Sequence, residues 1–333
     1  MMSPDAAPKR GGLALSETAR ALSTLAMMLS LAACGRFGVE GPGSPMQEAP
    51  VSGVEDRPEP DRASTLPRPT MHPADLPDVQ EEIPSERKTM TDEGKVSLII
   101  AILFDNNPYD ERLTTAWGFS ALVERGPHRV LFDTGGDGPI LLSNMKTLGI
   151  DPASIEAVVL SHAHKDHTGG LESLLALGLQ PIVYVLPSFS SGFKAQVGEV
   201  TQVVEVAPGQ VILDGIFTTG EVVGEIPEQA LVVTTEEGLV VITGCAHPGI
   251  DRMLQKARFM FGGPIRLAMG GFHLKSADDE RVSHILRAFR DLGVESTAPC
   301  HCTGDRARGR FAAEYGEGFI QAGVGKVIVL PGG

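Results

Sequence analysis

The chain has 333 residues, enough for one large domain or two small ones, and 42% of them are hydrophobic, as in soluble globular proteins. Its net charge of −14 argues against binding to a phosphate backbone, so no nucleic-acid partner is expected. The four cysteines are too few and too clustered for a disulfide framework, and no apolar run reaches the roughly 18 residues that a membrane-spanning helix needs.

The first 33 residues have the pattern of a secretory signal peptide. Three basic residues precede the apolar run "ALSTLAMMLSLAAC" (residues 21–34), and small residues lead to Cys34. The segment "LAAC" resembles the bacterial lipobox, in which the cysteine is lipidated and becomes the mature N-terminus. We therefore expect Cys34 to anchor the protein to a membrane of the cell envelope. If the host is Gram-negative, Gly35 favours the outer membrane, facing the periplasm. A buried core helix or an uncleaved anchor is the alternative.

Residues 34–93 have the composition of a disordered linker. Ten of the 24 prolines fall between Pro42 and Pro84, and the apolar residues there show no periodicity. Such a segment buries too little apolar surface to offset the entropy lost on ordering. We expect an extended tether between the lipid and a folded domain at residues 94–333.

From residue 94 onwards, predicted strands and helices alternate, which indicates a mixed α/β domain. The predicted strands cover 96–103, 119–124, 128–132, 157–160, 182–185, 203–206, 230–234, 239–243, 265–268 and 326–330. The predicted helices cover 138–148, 171–177, 249–260, 278–292 and 309–322. Thr168 is expected near the N-cap of the second helix.

The stretch "LSHAHKDHTGG" (residues 160–170) concentrates potential metal ligands. Three of the nine histidines and one aspartate lie within six residues, as His162, His164, Asp166 and His167. Residues two apart in an extended segment point the same way, so His162 and His164 are expected to bind one ion. Asp166 and His167 are expected to hold a second ion nearby, since imidazole and carboxylate groups suit zinc and iron.

Three further histidines follow apolar runs at the ends of predicted strands. They are His247 in "ITGCAHPG", His273 in "AMGGFHL" and His301 in "APCHCTG". Each stands beside glycines or other small residues. Histidines that recur at strand ends along one sheet edge are expected to supply the remaining ligands.

These motifs resemble the metallo-β-lactamase superfamily. His-x-His-x-Asp-His is the signature of that superfamily, and Asp133 in "FDTGG" also fits its pattern. The resemblance extends from about Lys95 to the C-terminus and implies an αββα sandwich with a metal site at one edge, between the sheets. The segments "GFSALVE", "TGCAHPGI", "GGFHL" and "PCHCTG" are similar to a subgroup labelled dihydropterin ribofuranosylaminobenzene phosphate synthase-like.

The resemblance also implies a set of metal ligands. His162 and His164 match the first metal's paired histidines, and the second metal's ligands are matched by Asp166, His167 and His301. Many members supply the last ligand of the first metal from a Gly-His-Thr stretch, but the corresponding "TTGEVVGEIPEQA" has no histidine.

Three roles near the metals follow from the same comparison. Cys245 stands where a bridging aspartate often stands, so His247 is expected to replace the missing ligand, with Cys245 beside the ions. His273 is then a substrate-contacting or near-metal group, although the roles of His247 and His273 are interchangeable at this point. Asp133 is expected to hold a ligand histidine in place, with a plain turn cap as the alternative.

The expected activity is hydrolysis by a metal-bound hydroxide, with two zinc ions by default and iron or manganese as alternatives. Asp166 and His273 are the expected catalytic groups. The expected substrate is a small phosphodiester, phosphate-linked or cyclic ester molecule, recognised by segments 105–118 and 187–199. The alternatives are a synthase-like enzyme, a metal- or ligand-binding lipoprotein without turnover, and a redox enzyme that uses iron. The synthase is disfavoured because an envelope lipoprotein would not meet that pathway's intermediates.

Overall fold

The structure is a computed structural model that describes residues 97–331. The predicted signal peptide (1–33), the linker (34–93) and the lipidation site Cys34 lie outside the described residues, so all three stay predictions. Within residues 97–331, none of the helices has the length and apolar character needed to cross a membrane.

The described residues form two sheets and the helices that flank them. The strands are β1 (Leu98–Phe104), β2 (Ser120–Arg125), β3 (His128–Phe132), β4 (Ala157–Val159), β5 (Ile182–Val185), β6 (Val203–Glu205), β7 (Val211–Leu213), β8 (Ile216–Thr218), β9 (Leu231–Thr235), β10 (Gly238–Thr243), β11 (Ile265–Gly271), β12 (Val294–Cys300) and β13 (Val327–Leu330). The helices are α1 (Gly138–Thr147), α2 (Lys165–Thr168), α3 (Leu171–Leu175), α4 (Ser191–Gly198), α5 (Ile250–Phe261), α6 (Asp279–Asp291) and α7 (Asp305–Tyr315).

Each sheet combines an antiparallel part with a parallel part. The first sheet has the strand order β13-β1-β2-β3-β4-β5-β6, and its strands from β3 to β6 are parallel. The second sheet has the order β12-β11-β10-β9-β8-β7, and its strands from β10 to β12 are parallel. The carboxyl ends of parallel strands share one edge of a sheet, and the loops that leave such an edge commonly build binding sites.

Two apolar clusters hold the layers together. One cluster fills the space between the sheets and joins Phe132 of the first sheet to Ile242 and Met269 of the second, with Leu141 and Met145 of α1 packed against it. The other cluster lies between the second sheet and helices α5, α6 and α7, where the rings of Phe272, Phe289 and Phe311 meet with centroids 5.1–5.5 Å apart. This layering is the αββα sandwich that the resemblance implied.

Some predicted boundaries are wrong. Thr168 ends α2 instead of capping the following helix, because the chain turns at Gly169 and Gly170. A Cβ on Gly170 would lie 2.1 Å from the carbonyl oxygen of Thr134, so this close approach requires glycine. The helix predicted over 309–322 covers Asp305–Tyr315 and ends where Gly316 takes a left-handed conformation with φ of 51°.

Other elements were not predicted from the sequence. Helix α4 lies inside the segment 187–199, for which the sequence predicts a loop; the glycines of this segment weaken the helical pattern. The short strands β7 and β8 were also missed. So were the bounds of β12, because its sequence "VESTAPC" has polar residues where the prediction sought an apolar run.

Candidate metal centre

The predicted site residues converge where loops from both sheets meet. After β4, the loop carries His162 and His164 and the short helix α2 carries Asp166 and His167, whereas the loops after β10, β11 and β12 carry one histidine each. These histidines, His247, His273 and His301, follow the carboxyl ends of parallel strands. The parallel part of each sheet therefore delivers its ligands to the same region of the fold.

The backbone is strained at this region. Among the described residues, the non-glycine residues with positive φ are Asp133 (58°), Ala246 (60°), His273 (53°) and His301 (46°). A left-handed conformation costs a residue with a Cβ about 1–2 kcal/mol. Such strain clusters at functional sites, where the surrounding structure holds a side chain in a required direction.

The first donor group contains three histidines. The ring centroids of His162, His164 and His247 lie 4.7–4.9 Å from one another. Burial lowers the pKa of His162 and lowers that of His247 to about 4, so both rings are neutral, as metal ligands must be. The His273 ring lies 4.4 Å from His247 but is exposed to solvent. The geometry therefore favours His247 over His273 as the third nitrogen donor.

The second donor group contains one carboxylate, two imidazoles and a thiol. The potential ligand atoms of Asp166, His167, Cys245 and His301 all lie within 4.8 Å of one another. The Nε2 atom of His167 is 3.2 Å from Cys245 Sγ, and that of His301 is 3.4 Å from Asp166 Oδ2. These are the predicted ligands of the second ion, joined by Cys245.

Asp133 fixes the orientation of two ligand histidines. Its carboxylate accepts hydrogen bonds from Ser161 N and Ser161 Oγ (2.7 Å each) and lies 2.7 Å from His167 Nδ1. A carboxylate only accepts, so His167 holds a proton on Nδ1 and presents Nε2 to the second donor group. Ser161 Oγ in turn accepts from His162 Nδ1 at 2.9 Å, which frees His162 Nε2 in the same way. Burial opposes protonation of His167, but the charge and hydrogen bond of Asp133, together with the charges of Asp166 and Glu228, raise the pKa of His167 to about 9, so a metal ion would displace a proton from Nε2 on binding.

Segment 105–118, which is predicted from the sequence to recognise substrate, also contains Asn106, a residue that was not predicted to act at the metal centre and that holds His301. Asn106 Oδ1 lies 2.9 Å from His301 Nδ1, and Asn106 Nδ2 donates to the His301 carbonyl at 3.2 Å. The buried carboxylate of Asp105 accepts from the His301 backbone N–H at 3.1 Å. His301 Nε2 is thereby aimed at the second donor group. The available sequence signal was "DNN" directly after a buried strand.

Glu228 is a second residue that the sequence did not single out. Its fully buried carboxylate accepts four backbone N–H groups, from Gly244, Cys245, Ala246 and His247, at 2.8–3.0 Å. These bonds fold the loop after β10 around one side chain, which places Cys245 and His247 at the metal centre. Burial raises the pKa of Glu228 to about 7, although the backbone hydrogen bonds oppose this shift.

Cys245, which was expected beside the ions, lies among the donor atoms. Its Sγ belongs to the second group, to a set with His162 and His247, and to a third set with His273 and Cys302. The thiol lies between the two predicted ion positions because the loop that Glu228 organises turns it inward. Cys245 is therefore a potential bridging ligand.

Comparison with known proteins is consistent with this site. The family model for the metallo-β-lactamase superfamily matches residues 118–254. The 7,8-dihydropterin-6-methyl-4-(β-D-ribofuranosyl)-aminobenzene-5′-phosphate synthase of Methanocaldococcus jannaschii is 31% identical over 287 residues, covering 71% of this chain and 98% of the relative. The chain belongs to the metallo-β-lactamase superfamily.

Solved structures of the superfamily share the fold. Tm1679, described as a metal-dependent hydrolase of the β-lactamase superfamily, is 33% identical with a TM-score of 0.58, over 69% of this chain and 98% of Tm1679. The metallo-β-lactamase fold protein YhfI of Bacillus subtilis is 17% identical with a TM-score of 0.54, over 71% of this chain and all of YhfI. The second likeness shows the fold alone.

The donor set fits the divalent metal ions that the superfamily fold implies. The Nε2 atoms of His247 and His301 are buried and have no hydrogen-bond partner among the described residues. Leaving a buried polar atom unpaired is unfavourable, and a metal ion in each donor group would give each of these atoms a partner. Imidazole, carboxylate and thiolate ligands together suit zinc or iron.

Proposed function

We propose that the protein is a binuclear metal-dependent hydrolase that acts on a small phosphodiester, phosphate-linked or cyclic ester molecule. The observation that carries this proposal is the pair of adjacent donor groups. His162, His164 and His247 would hold one ion, and Asp166, His167 and His301 would hold the other, with Cys245 between them. Zinc is the default metal, and iron and manganese are the alternatives.

Metal ions in such a site act as Lewis acids and activate water at neutral pH. The chain's own residues complete the chemistry. The side chain of Asp166 is 21% exposed, unlike the fully buried imidazoles of His167 and His301. Desolvation would raise the pKa of Asp166, but the neighbouring imidazoles of His301 and His167 outweigh it and hold that pKa below its usual range. Asp166 is therefore ionised at neutral pH and is placed to orient water or accept its proton.

His273 is proposed as the second catalytic group. Its exposed imidazole lies beside His247, at the edge of the first donor group. From this position the ring is placed to contact the leaving group of a bound substrate and to transfer a proton there.

The activity is tested by assaying metal-loaded protein against bis(4-nitrophenyl) phosphate, 4-nitrophenyl esters and simple lactones. We expect hydrolysis of at least one class, loss of activity with a chelator and recovery on adding zinc. Asp166→Asn is expected to lower kcat about 10²–10⁴-fold, the usual contribution of a positioned acid or base. Glu172→Gln, an exposed substitution on α3, is the matched control. A metal-loaded protein that hydrolyses no member of the panel contradicts the proposal.

A synthase activity is the second candidate, favoured by the identity with the Methanocaldococcus jannaschii synthase over 98% of its length. Formation of the product that this relative is named for, followed by mass spectrometry, tests the candidate directly. Product formation without ester hydrolysis would favour the synthase over the hydrolase. Metal binding without either activity would favour a ligand-binding lipoprotein.

We also propose that Cys34 is lipidated and anchors the protein to a membrane of the cell envelope. The support is the sequence pattern at residues 21–34. Metabolic labelling with a radioactive fatty acid should mark the wild-type chain and not the Cys34→Ala variant. Equal labelling of the two chains contradicts the proposal.

A further inference from the structure

A pocket beside the metal centre contains His273, but the mechanism above assigns no role to its other lining residues. It has a volume of about 390 Å³ and is lined by Trp117, His273, Lys275, Ser276 and Cys302. Trp117 precedes β2 of the first sheet, whereas the other lining residues follow β11 and β12 of the second sheet. The pocket therefore lies where loops from both sheets meet, as the metal centre does.

Direct contacts connect this pocket to the metal-binding groups. The ring centroid of Trp117 is 4.9 Å from that of His301, a ligand in the second donor group. The potential ligand atoms of His273 and Cys302 lie within 4.8 Å of each other and of Cys245. A molecule in the pocket would therefore have one end close to the proposed ions.

The pocket carries a positive charge in an otherwise acidic protein. The ammonium group of Lys275 lies 4.6 Å from the centroid of the Trp117 ring, in a cation–π contact that holds it over the pocket. The backbone N–H of Lys275 donates to the Cys302 carbonyl at 3.1 Å, which fixes this loop to the loop that carries His301. None of the described residues that line the pocket has a carboxylate side chain.

The Ser276 hydroxyl adds a hydrogen-bond donor to the same lining. An ammonium group and a hydroxyl beside an aromatic ring bind oxyanions, because both donate to oxygen and the ammonium also neutralises charge. The Lys275 side chain is exposed, so its ammonium group is accessible to a bound ligand.

We propose that this pocket binds an oxyanion of the substrate, a phosphate or carboxylate group, that is separate from the bond being hydrolysed. The proposal rests on the hydrolase function and narrows its substrate class to esters and phosphodiesters that carry a second anionic group. The anion held by Lys275 would orient the reactive bond toward the donor groups.

Trp117 is the only tryptophan in the chain, so its fluorescence reports on this pocket. We would titrate metal-loaded protein with inorganic phosphate and with acetate, and follow fluorescence and heat by calorimetry in parallel. Lys275→Met is the test variant, Lys275→Arg restores the charge, and Lys146→Met on the exposed face of α1 is the control. Calorimetry covers the case in which removing the lysine silences the fluorescence change.

We expect Lys275→Met to raise the half-saturating anion concentration at least tenfold, with recovery in Lys275→Arg and no change in Lys146→Met. Stronger binding of phosphate than of acetate would assign the group as a phosphate, and the reverse order would assign a carboxylate. Equal anion binding by wild type and Lys275→Met, which is the result for anions held by the metals alone, overturns the proposal. If anion binding depends on Lys275 but the protein has no hydrolase activity, the anion pocket is supported and the proposed hydrolase function is contradicted.

Discussion

The two sheets contribute to the metal centre in different ways. The first sheet supplies four donors from one continuous segment, His162 to His167, which follows β4 directly. The second sheet supplies His247, His273 and His301 from three separate loops. The first set is arranged by local geometry around Asp133, whereas two of the three loops of the second set are each held by a separate polar residue, Glu228 for the loop after β10 and Asn106 for the loop after β12.

Because the two donor sets are held in different ways, removing the residues that hold them should affect metal binding differently. Asp133 acts on both donor groups, because it contacts His167 directly and His162 through Ser161. Glu228 and Asn106 each act on one loop. Substitutions of these three residues should therefore differ in the size of their effect, and substitution of Asp133 should have the largest.

The largest effect is expected for Asp133→Asn. The amide leaves the buried Nδ1 of His167 and the Ser161 hydroxyl without a charged acceptor, and loss of such support typically lowers metal affinity about 10–100-fold. Because both groups depend on Asp133, we expect the upper end of that range for both ions. Titration with a competing chelator measures the affinities. Asp214→Asn, whose side chain is 84% exposed, is the control and should match wild type.

Glu228→Gln is expected to destabilise the loop after β10, in the second sheet, more than the donor segment after β4 in the first. The amide retains one acceptor oxygen for four backbone N–H groups, and leaving buried donors unpaired costs about 1–3 kcal/mol in the free energy of unfolding. Chemical denaturation measures the loss. Glu225→Gln, an exposed change on the same segment, should leave stability unaltered. Equal stability of the two variants would show that Glu228 does not organise the loop.

Asn106→Ala should produce a smaller and more local change. The substitution removes the side chain that orients the His301 ring. The affinity for the second ion should therefore fall about tenfold, the lower end of the effect seen for residues that orient metal ligands. The first ion should bind as in wild type. Asn106→Asp keeps the oxygen that accepts from His301 Nδ1, so its affinity should lie close to wild type. An equal loss of both ions from Asn106→Ala would contradict the separation of the two halves.

The smallest effect is expected for Ala246→Gly. Glycine removes the left-handed strain at φ of 60°, worth about 1–2 kcal/mol, while its freer unfolded chain costs about 0.5–1 kcal/mol. Stability should therefore rise slightly or stay unchanged in thermal unfolding. Ala257→Gly, in the middle of α5, should lose about 1 kcal/mol instead. A clear loss of stability from Ala246→Gly would show that the strain is not stored at this residue.

The same comparison explains which parts of the molecule the sequence predicts. The continuous segment could be predicted because four potential donors occur within six residues directly after an apolar run, and "FDTGG" marks Asp133 at the end of a strand. His162 and His164 lie in the bend after β4 rather than in the extended strand end that was expected. The strand that leads to His301 was harder, since "VESTAPC" in β12 has no continuous apolar run. Its parallel pairing with β11 compensates for the weak local pattern.

The supports of the second-sheet half could not be derived from sequence spacing. Asn106 and His301 are 195 residues apart, and only the fold brings β1 beside the loop after β12. Glu228 lies in the segment "TTGEVVGEIPEQA", which has no histidine, and the sequence around a single glutamate does not indicate its four backbone hydrogen-bond partners. The position of the Cys245 thiol among the donors depends on the loop that Glu228 folds, so sequence spacing could not predict this position either.

The central claim is that two donor groups hold two ions, and elemental analysis of metal content tests it most directly. The account predicts about two ions per wild-type chain and about one in each of His164→Ala and His301→Ala, because each variant removes a donor from a different group. His284→Ala, whose side chain is 53% exposed on α6, should retain two. One ion or fewer in the wild type, or two ions retained in both ligand variants, would contradict the binuclear centre.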